Sequence, residues 1–99
     1  MIRGTTPTLE FLMPFDTGQL AEAYVTLSQN GAVVLDKALN DCQCGGQKLS
    51  VRLTQEETLK LQDEIITEIQ IRARTVEDEA MASNIIRVST GRILKEGVI

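Results

Sequence analysis

The chain has no histidine and no tryptophan, and among its 99 residues only Phe11, Phe15 and Tyr24 are aromatic. Without histidine, the commonest general base and nucleophile activator is missing, so Ser–His–Asp and Cys–His catalysis are excluded. With so few rings, the chain lacks the stacked aromatic platforms that hold single-stranded nucleic acid. No run of about 18 apolar residues occurs, so no transmembrane helix is expected. The start, MIRGTTPTLEF, lacks the apolar stretch of a secretory signal. The protein is therefore expected to be made in the cytoplasm, with a larger particle as its one route out.

Two cysteines are present, as Cys42-Gln43-Cys44. A closed zinc site needs four ligands, and one chain offers two thiolates and no imidazole. The spacing is not the C-x-x-C of redox sites, and a disulfide two residues apart is strained. The expectation is two reduced thiols beside a glycine-rich loop, and no cofactor or metal.

The formal charge is −4. That repels the phosphate backbone and anionic membranes alike. Arg72, Arg74 and Arg87 are a candidate basic patch, blunted by Glu68 and by Glu77, Asp78 and Glu79. Paired carboxylates at Glu56-Glu57, Asp63-Glu64 and Glu77-Asp78-Glu79 are the remaining candidates for acid–base chemistry. They fall in expected turns, and nothing marks an apolar pocket that would raise a carboxyl pKa. The acidic trio lacks a D-x-D-x-D-G loop, so calcium is not indicated. No catalytic residue is assigned, and the chain is not expected to be an enzyme.

What the chain does have is a hydrophobic fraction of 42%, nearly all aliphatic, enough for one core and one domain over residues 1–99. The apolar residues mostly recur with period two, the sign of half-buried strands. Strands are expected at 8–13, 22–29, 32–39, 48–54 and 65–74, and a last one within 82–92, with a seventh conceivable in the tail. Asn30-Gly31 between two such runs signals a tight hairpin. Asn40 to Gly46 reads as a loop. Thr54 to Glu57 reads T-x-x-E, a capping box, and predicts one helical turn near 54–58 that carries the chain between sheets. A rival reading makes Thr54 to Arg74 one helix, but the Ile-Ile-Thr content and the alternation after Ile66 favour a strand. Turn signals roughly every 8–12 residues point to an all-β sandwich. Its expected core is Phe11, Val25, Leu27, Val51, Leu53, Ile69, Ile71, Ile86 and Val88.

Two polar stripes face away from that core. One is Glu68, Gln70, Arg72 and Arg74; the other is Tyr24 and Thr26 with Ser28. Each is the wet side of a sheet or a surface for a protein partner.

Six stretches carry a family resemblance: MIRGTTPTLEF at the start, PFD at 14–16, VTLSQNGAVVLDK at 25–37, LTQEETLKL at 53–61, EIQIR at 68–72 and ASNIIRVSTGRIL at 82–94. Together they resemble a family of small proteins encoded in prophages of gut Firmicutes. The strand pattern is also distantly similar to the N-terminal domains of upper-baseplate proteins of phages that infect Gram-positive hosts. The resemblance implies a single immunoglobulin-like β-sandwich of six to seven antiparallel strands. It further implies a non-enzymatic tail or baseplate component of the virion that acts through contacts with itself or other tail proteins. The alternatives are a cytoplasmic assembly or host-interaction module and a carbohydrate-binding tail-tip module. Glu77-Asp78-Glu79 departs from the family's Asp-Gly type turn and implies a wider hairpin there.

Overall fold

A computed structural model describes all of residues 1–99. Eight antiparallel strands form two sheets that face each other across one aliphatic core. The strands are β1 (Thr8–Leu12), β2 (Leu20–Gln29), β3 (Ala32–Ala38), β4 (Gln43–Gly45), β5 (Lys48–Arg52), β6 (Thr67–Thr75), β7 (Ala80–Ala82) and β8 (Ile86–Val88). A single short α-helix, α1 (Gln55–Leu59), lies between β5 and β6, and two 3-10 turns, Thr17–Gln19 and Leu39–Asp41, sit at other connections. The smaller sheet has the order β1-β5-β4; the larger runs β3-β2-β6, with β7 and β8 both on the far edge of β6. This is an immunoglobulin-like sandwich order. The smaller sheet stands where strands B, E and D do, and the larger where C′, C, F and G do.

The period-two pattern sets the core. Ala23, Val25 and Leu27 of β2, Leu35 of β3 and Ile69, Ile71 and Ala73 of β6 point inward and meet Leu49 and Val51 of β5 and the following Leu53. Full burial of a Val, Leu or Ile side chain contributes roughly 1.5–3 kcal/mol. Of the residues expected in the core, Val25, Leu27, Val51, Leu53, Ile69 and Ile71 are buried, and Phe11 and Val88 pack half-buried against it. Ile86 is not in the core. It pairs with Ile69 on the inner side of the sheet yet remains 46% exposed. It sits on an edge strand, and the facing sheet, with three strands, is the narrower one.

Local chemistry explains the connections. Asn30 (φ 52°) and Gly31 (φ 78°) take the left-handed conformations that a two-residue hairpin turn requires. Thr54 Oγ1 accepts from the Glu57 N–H at 3.2 Å while Glu57 Oε1 accepts from the Thr54 N–H at 2.9 Å, completing the capping box of α1. The carbonyls of Leu59, the last residue of α1, and of Leu61 just after it accept from the Arg3 guanidinium at 3.1 and 2.6 Å. No long helix runs from Thr54 to Arg74; β6 occupies its second half, beginning at Thr67 rather than at Ile65.

Three short features depart from the sequence reading. The stretch from Asn40 to Gly46 is not all loop, since Gln43–Gly45 forms β4 against β5. The last strand is two pieces, β7 and β8, on one line. Arg72 stands opposite Ala82 and Ile69 opposite Ile86, so the register slips by one residue between them. Ser83 fills the break: its N–H donates to the Ile71 carbonyl at 2.9 Å, and its Oγ accepts from the Ile71 N–H at 3.2 Å. The serine hydroxyl replaces a missing backbone acceptor. No strand forms in the tail. Instead, Ile2 makes a parallel bridge to Gly91, with Arg3 N–H donating to the Gly91 carbonyl at 3.1 Å.

A buried polar cluster ties one end of the molecule together. Gln29, at the end of β2, both donates to the Gln62 carbonyl and accepts from the Gln62 N–H, each at 2.8 Å. Its amide also reaches Thr67 at 3.2 Å and Thr90 at 3.4 Å, whose hydroxyls lie 2.6 Å apart. A buried polar group left without its partner costs far more than the bond itself contributes. Gln29→Leu is therefore expected to lower the unfolding free energy by about 2–4 kcal/mol in urea titrations, whereas Ser28→Ala on the wet side changes it by less than about 0.5 kcal/mol.

Candidate functional site

The two polar stripes of β2 and β6 become one face because the strands are direct neighbours. Glu22 stands opposite Arg74, Tyr24 opposite Arg72, Thr26 opposite Gln70 and Ser28 opposite Glu68. Residues directly opposite in an antiparallel pair project on the same side, close enough for their side chains to interact. All six residues singled out from the sequence (Tyr24, Thr26, Glu68, Gln70, Arg72 and Arg74) therefore lie together on the outer surface of the larger sheet.

The structure adds residues that sequence reading did not place there. β3 contributes Asp36, opposite Thr26, and Val33, which is 65% exposed. The break between β7 and β8 contributes Ile85, 46% exposed; Arg87 of β8, already grouped with Arg72 and Arg74 as a candidate basic patch, stands opposite Glu68, which neutralises it. Asp36 alternates with buried Leu35, a signal present in the sequence, but strand order decides which face it joins.

Most polar groups on this face are engaged. Arg74 reaches Glu22 at 3.5 Å and Asp78 at 3.7 Å, and Arg87 reaches Glu68 at 3.2 Å. Gln70 donates to the Ser83 carbonyl at 2.9 Å, and Thr26 donates to Asp36 at 2.8 Å. Exposed ion pairs of this kind contribute about 0–1 kcal/mol each and serve more to fix side-chain positions than to hold the fold. Arg72 has neither an ion-pair nor a hydrogen-bond partner, and the Tyr24 hydroxyl is likewise free. Three shallow depressions lie side by side here. Tyr24 separates one walled by Ala38 and Leu39 from one walled by Arg72 and Ala80, and the third lies between Val33 and Ile85. Such open hollows do not enclose a small molecule as closed pockets do.

Of the carboxylates considered for catalysis, only Asp78 touches this face, through Arg74. Glu57 is committed to structure: besides capping α1, it receives Lys37 at 2.6 Å, and both side chains are mostly covered. Burial alone would raise its carboxyl, but the Lys37 hydrogen bond, the Thr54 backbone N–H and the Lys37 charge together hold it below its usual value of 4.5. Glu77, Asp78 and Glu79 are exposed in the β6–β7 turn, which is a wide one with Asp78 at φ 66°. Nowhere do three acidic or thiol side chains gather in a way that would hold a metal ion. Cys42 and Cys44 are free thiols. Cys42 is half-buried with its thiol 3.3 Å from the Ala38 carbonyl; Cys44 is exposed on β4. Burial, helped by the neighbouring Cys44 and Asp41 and opposed by Lys37, pushes the Cys42 thiol up.

Two outcomes follow from these groups. A carboxyl held low in the folded state stabilises it above the unfolded-state pKa, and that contribution disappears as pH falls through the folded value. The stability difference between the wild type and Glu57→Gln is thus expected to be largest near pH 7 and to shrink steadily below about pH 4.5 in urea titrations; a difference that widens on acidification contradicts the assignment. For the thiols, iodoacetamide at neutral pH is expected to label Cys44 well ahead of Cys42, as read by peptide mass spectrometry.

None of the helices is long and apolar enough to cross a membrane. Comparisons of the chain with protein-family models, with curated proteins and with solved structures each return no match, so the prophage resemblance gains no support from them and the functional reading rests on this face.

Proposed function

We propose that the protein is a non-enzymatic interaction module that binds protein through the outer face of its larger sheet. The observation that carries this reading is the pair of hollows on either side of Tyr24, one of them walled by Arg72, with a third between Val33 and Ile85 on the same sheet face. Tyrosine and arginine are the residue types most often found at the energetic centre of protein interfaces, where one rigid ring and one forked cation supply most of the binding energy. Here both are exposed, adjacent in register and free of intramolecular partners. The two hollows that Tyr24 separates differ in character: the first is mostly apolar, with Ala21, Ala38 and Leu39, and the second is charged, with Glu22, Arg72 and Arg74.

The setting we propose is a phage particle, with the module in the tail or baseplate and another tail protein or a second copy as partner. The support for this setting is the resemblance to a prophage-encoded family carried by the six stretches named above. A module that acts only inside the host during assembly is the alternative, and the particle decides between them. If the chain is absent from purified virions by mass spectrometry, the structural role is wrong.

The binding surface has its own test. Tagged wild-type protein, purified from its native host, is expected to hold either a second copy or one partner protein in fixed stoichiometry. Tyr24→Ala with Arg72→Glu is expected to reduce retention at least about tenfold, while Leu12→Ser on the opposite sheet leaves it intact. Retention that is equal in all three proteins, each of unchanged thermal stability, rules this face out.

A further inference from the structure

We propose that the outer face of the larger sheet pairs with the same face of a second copy, about a two-fold axis, with Arg72 of each copy against Asp36 of the other. This rests on the reading of that face as a binding surface and names its occupant.

The argument starts from charge. Six charged residues of β2, β3, β6 and β8 share this face: Arg72, Arg74 and Arg87 against Glu22, Glu68 and Asp36. These six balance, and the turn residue Asp78, held against Arg74, adds a single negative charge, so on a chain whose formal charge is −4 two copies approach here with less repulsion than the remainder of the surface imposes. Arg74 is paired with Glu22 and Arg87 with Glu68. Arg72 and Asp36 remain, one cation without an anion and one anion whose only partner is the neutral Thr26 hydroxyl.

Register places these two groups. Tyr24 lies opposite Arg72 of β6 on one flank and opposite Ala38 of β3 on the other; Thr26 lies opposite Gln70 and Asp36. Arg72 and Asp36 therefore stand diagonally across β2, and the midpoint between them falls between Tyr24 and Thr26. Strand spacing of about 4.8 Å and a rise of about 3.4 Å per residue separate their Cα atoms by roughly 12 Å. The sheet holds them apart, with the β2 side chains between.

That diagonal is self-complementary. A two-fold axis lying in the plane of contact, through this midpoint and at right angles to the Arg72–Asp36 line, exchanges the two positions. Each Arg72 then faces the second copy's aspartate, and both ion pairs form at once, as a symmetric interface requires. Tyr24 lies beside the axis in both copies. Its exposed ring becomes the centre of the contact, with Val33 and Ile85 adding apolar surface toward the margins.

The test is a charge swap. Sedimentation equilibrium of the purified chain, from about 1 µM to about 1 mM, is expected to show a monomer–dimer equilibrium that weakens as salt rises. Asp36→Arg and Arg72→Asp each weaken it by at least about tenfold, because each sets like charges face to face. The double variant Asp36→Arg/Arg72→Asp restores the wild-type dissociation constant to within about threefold. Circular dichroism melts confirm that all four proteins are folded. A wild type that stays monomeric at about 1 mM overturns the proposal, as do single variants that dimerise normally or a swap that fails to restore pairing. A monomeric wild type that still retains another protein through Tyr24 and Arg72 overturns self-pairing alone and leaves the binding surface standing.

Discussion

The antiparallel pairing of β2 with β6 decides both sides of the molecule at once. Because side chains alternate along a strand, the register that opposes Val25 to Ile71 and Leu27 to Ile69 also opposes Tyr24 to Arg72 and Thr26 to Gln70. A slip of one residue would carry the aliphatic set into water and the charged set into the core. The cost of exposing those buried aliphatic side chains, roughly 1.5–3 kcal/mol for each, holds the register far more firmly than any surface contact does. The composition of the outer face is then free to vary, but its geometry is inherited from the core.

A two-sheet sandwich must also hold its crossings and ends, and here polar groups do this. The Gln29 amide joins the end of β2 to the loop before β6 and to the tail at Thr90. Arg3 joins the N-terminal lead to carbonyls at the end of α1 and just after it, and Thr58 donates to the Thr5 carbonyl at 2.8 Å from a fully buried position. Lys37 and Glu57 join β3 to α1. Every buried side-chain polar atom has a partner. These contacts join the chain ends, α1 and the loop before β6 to the sheets, where no strand pairing holds them.

Local signals in the sequence carried most of this fold. Asn30-Gly31 gave the hairpin, Thr54 to Glu57 gave the capped turn, and alternation gave the buried faces of β2, β5 and β6. Each depends on a few neighbouring residues. What was not legible depends on residues far apart. β4 and β7 are three residues long, too short for periodicity, and exist because β5 and β6 offer them an edge. Ile86 alternates correctly and yet stays exposed, because width of the facing sheet is not written into its own strand. The site was half legible in the same way. Its two stripes were visible, but their union needed the β2–β6 register, and Asp36 and Ile85 joined only through strand order and the Ser83 break.

That division also says which outer residues answer to stability. Glu22, Glu68, Arg74 and Arg87 are tied to one another across strands, and Gln70 to the Ser83 carbonyl that bridges the interrupted edge. Arg72 answers to none of these. A long, solvated cation beside an exposed ring contributes at most about 1 kcal/mol to the fold, whereas burying it against an apolar partner without an anion would cost several kcal/mol. On the proposed reading, the surface selects its partner by charge as well as by shape, since a partner that covers Tyr24 leaves Arg72 buried without an anion unless it brings a carboxylate. An acceptor at that point turns the least constrained residue of the sheet into the one that sets orientation.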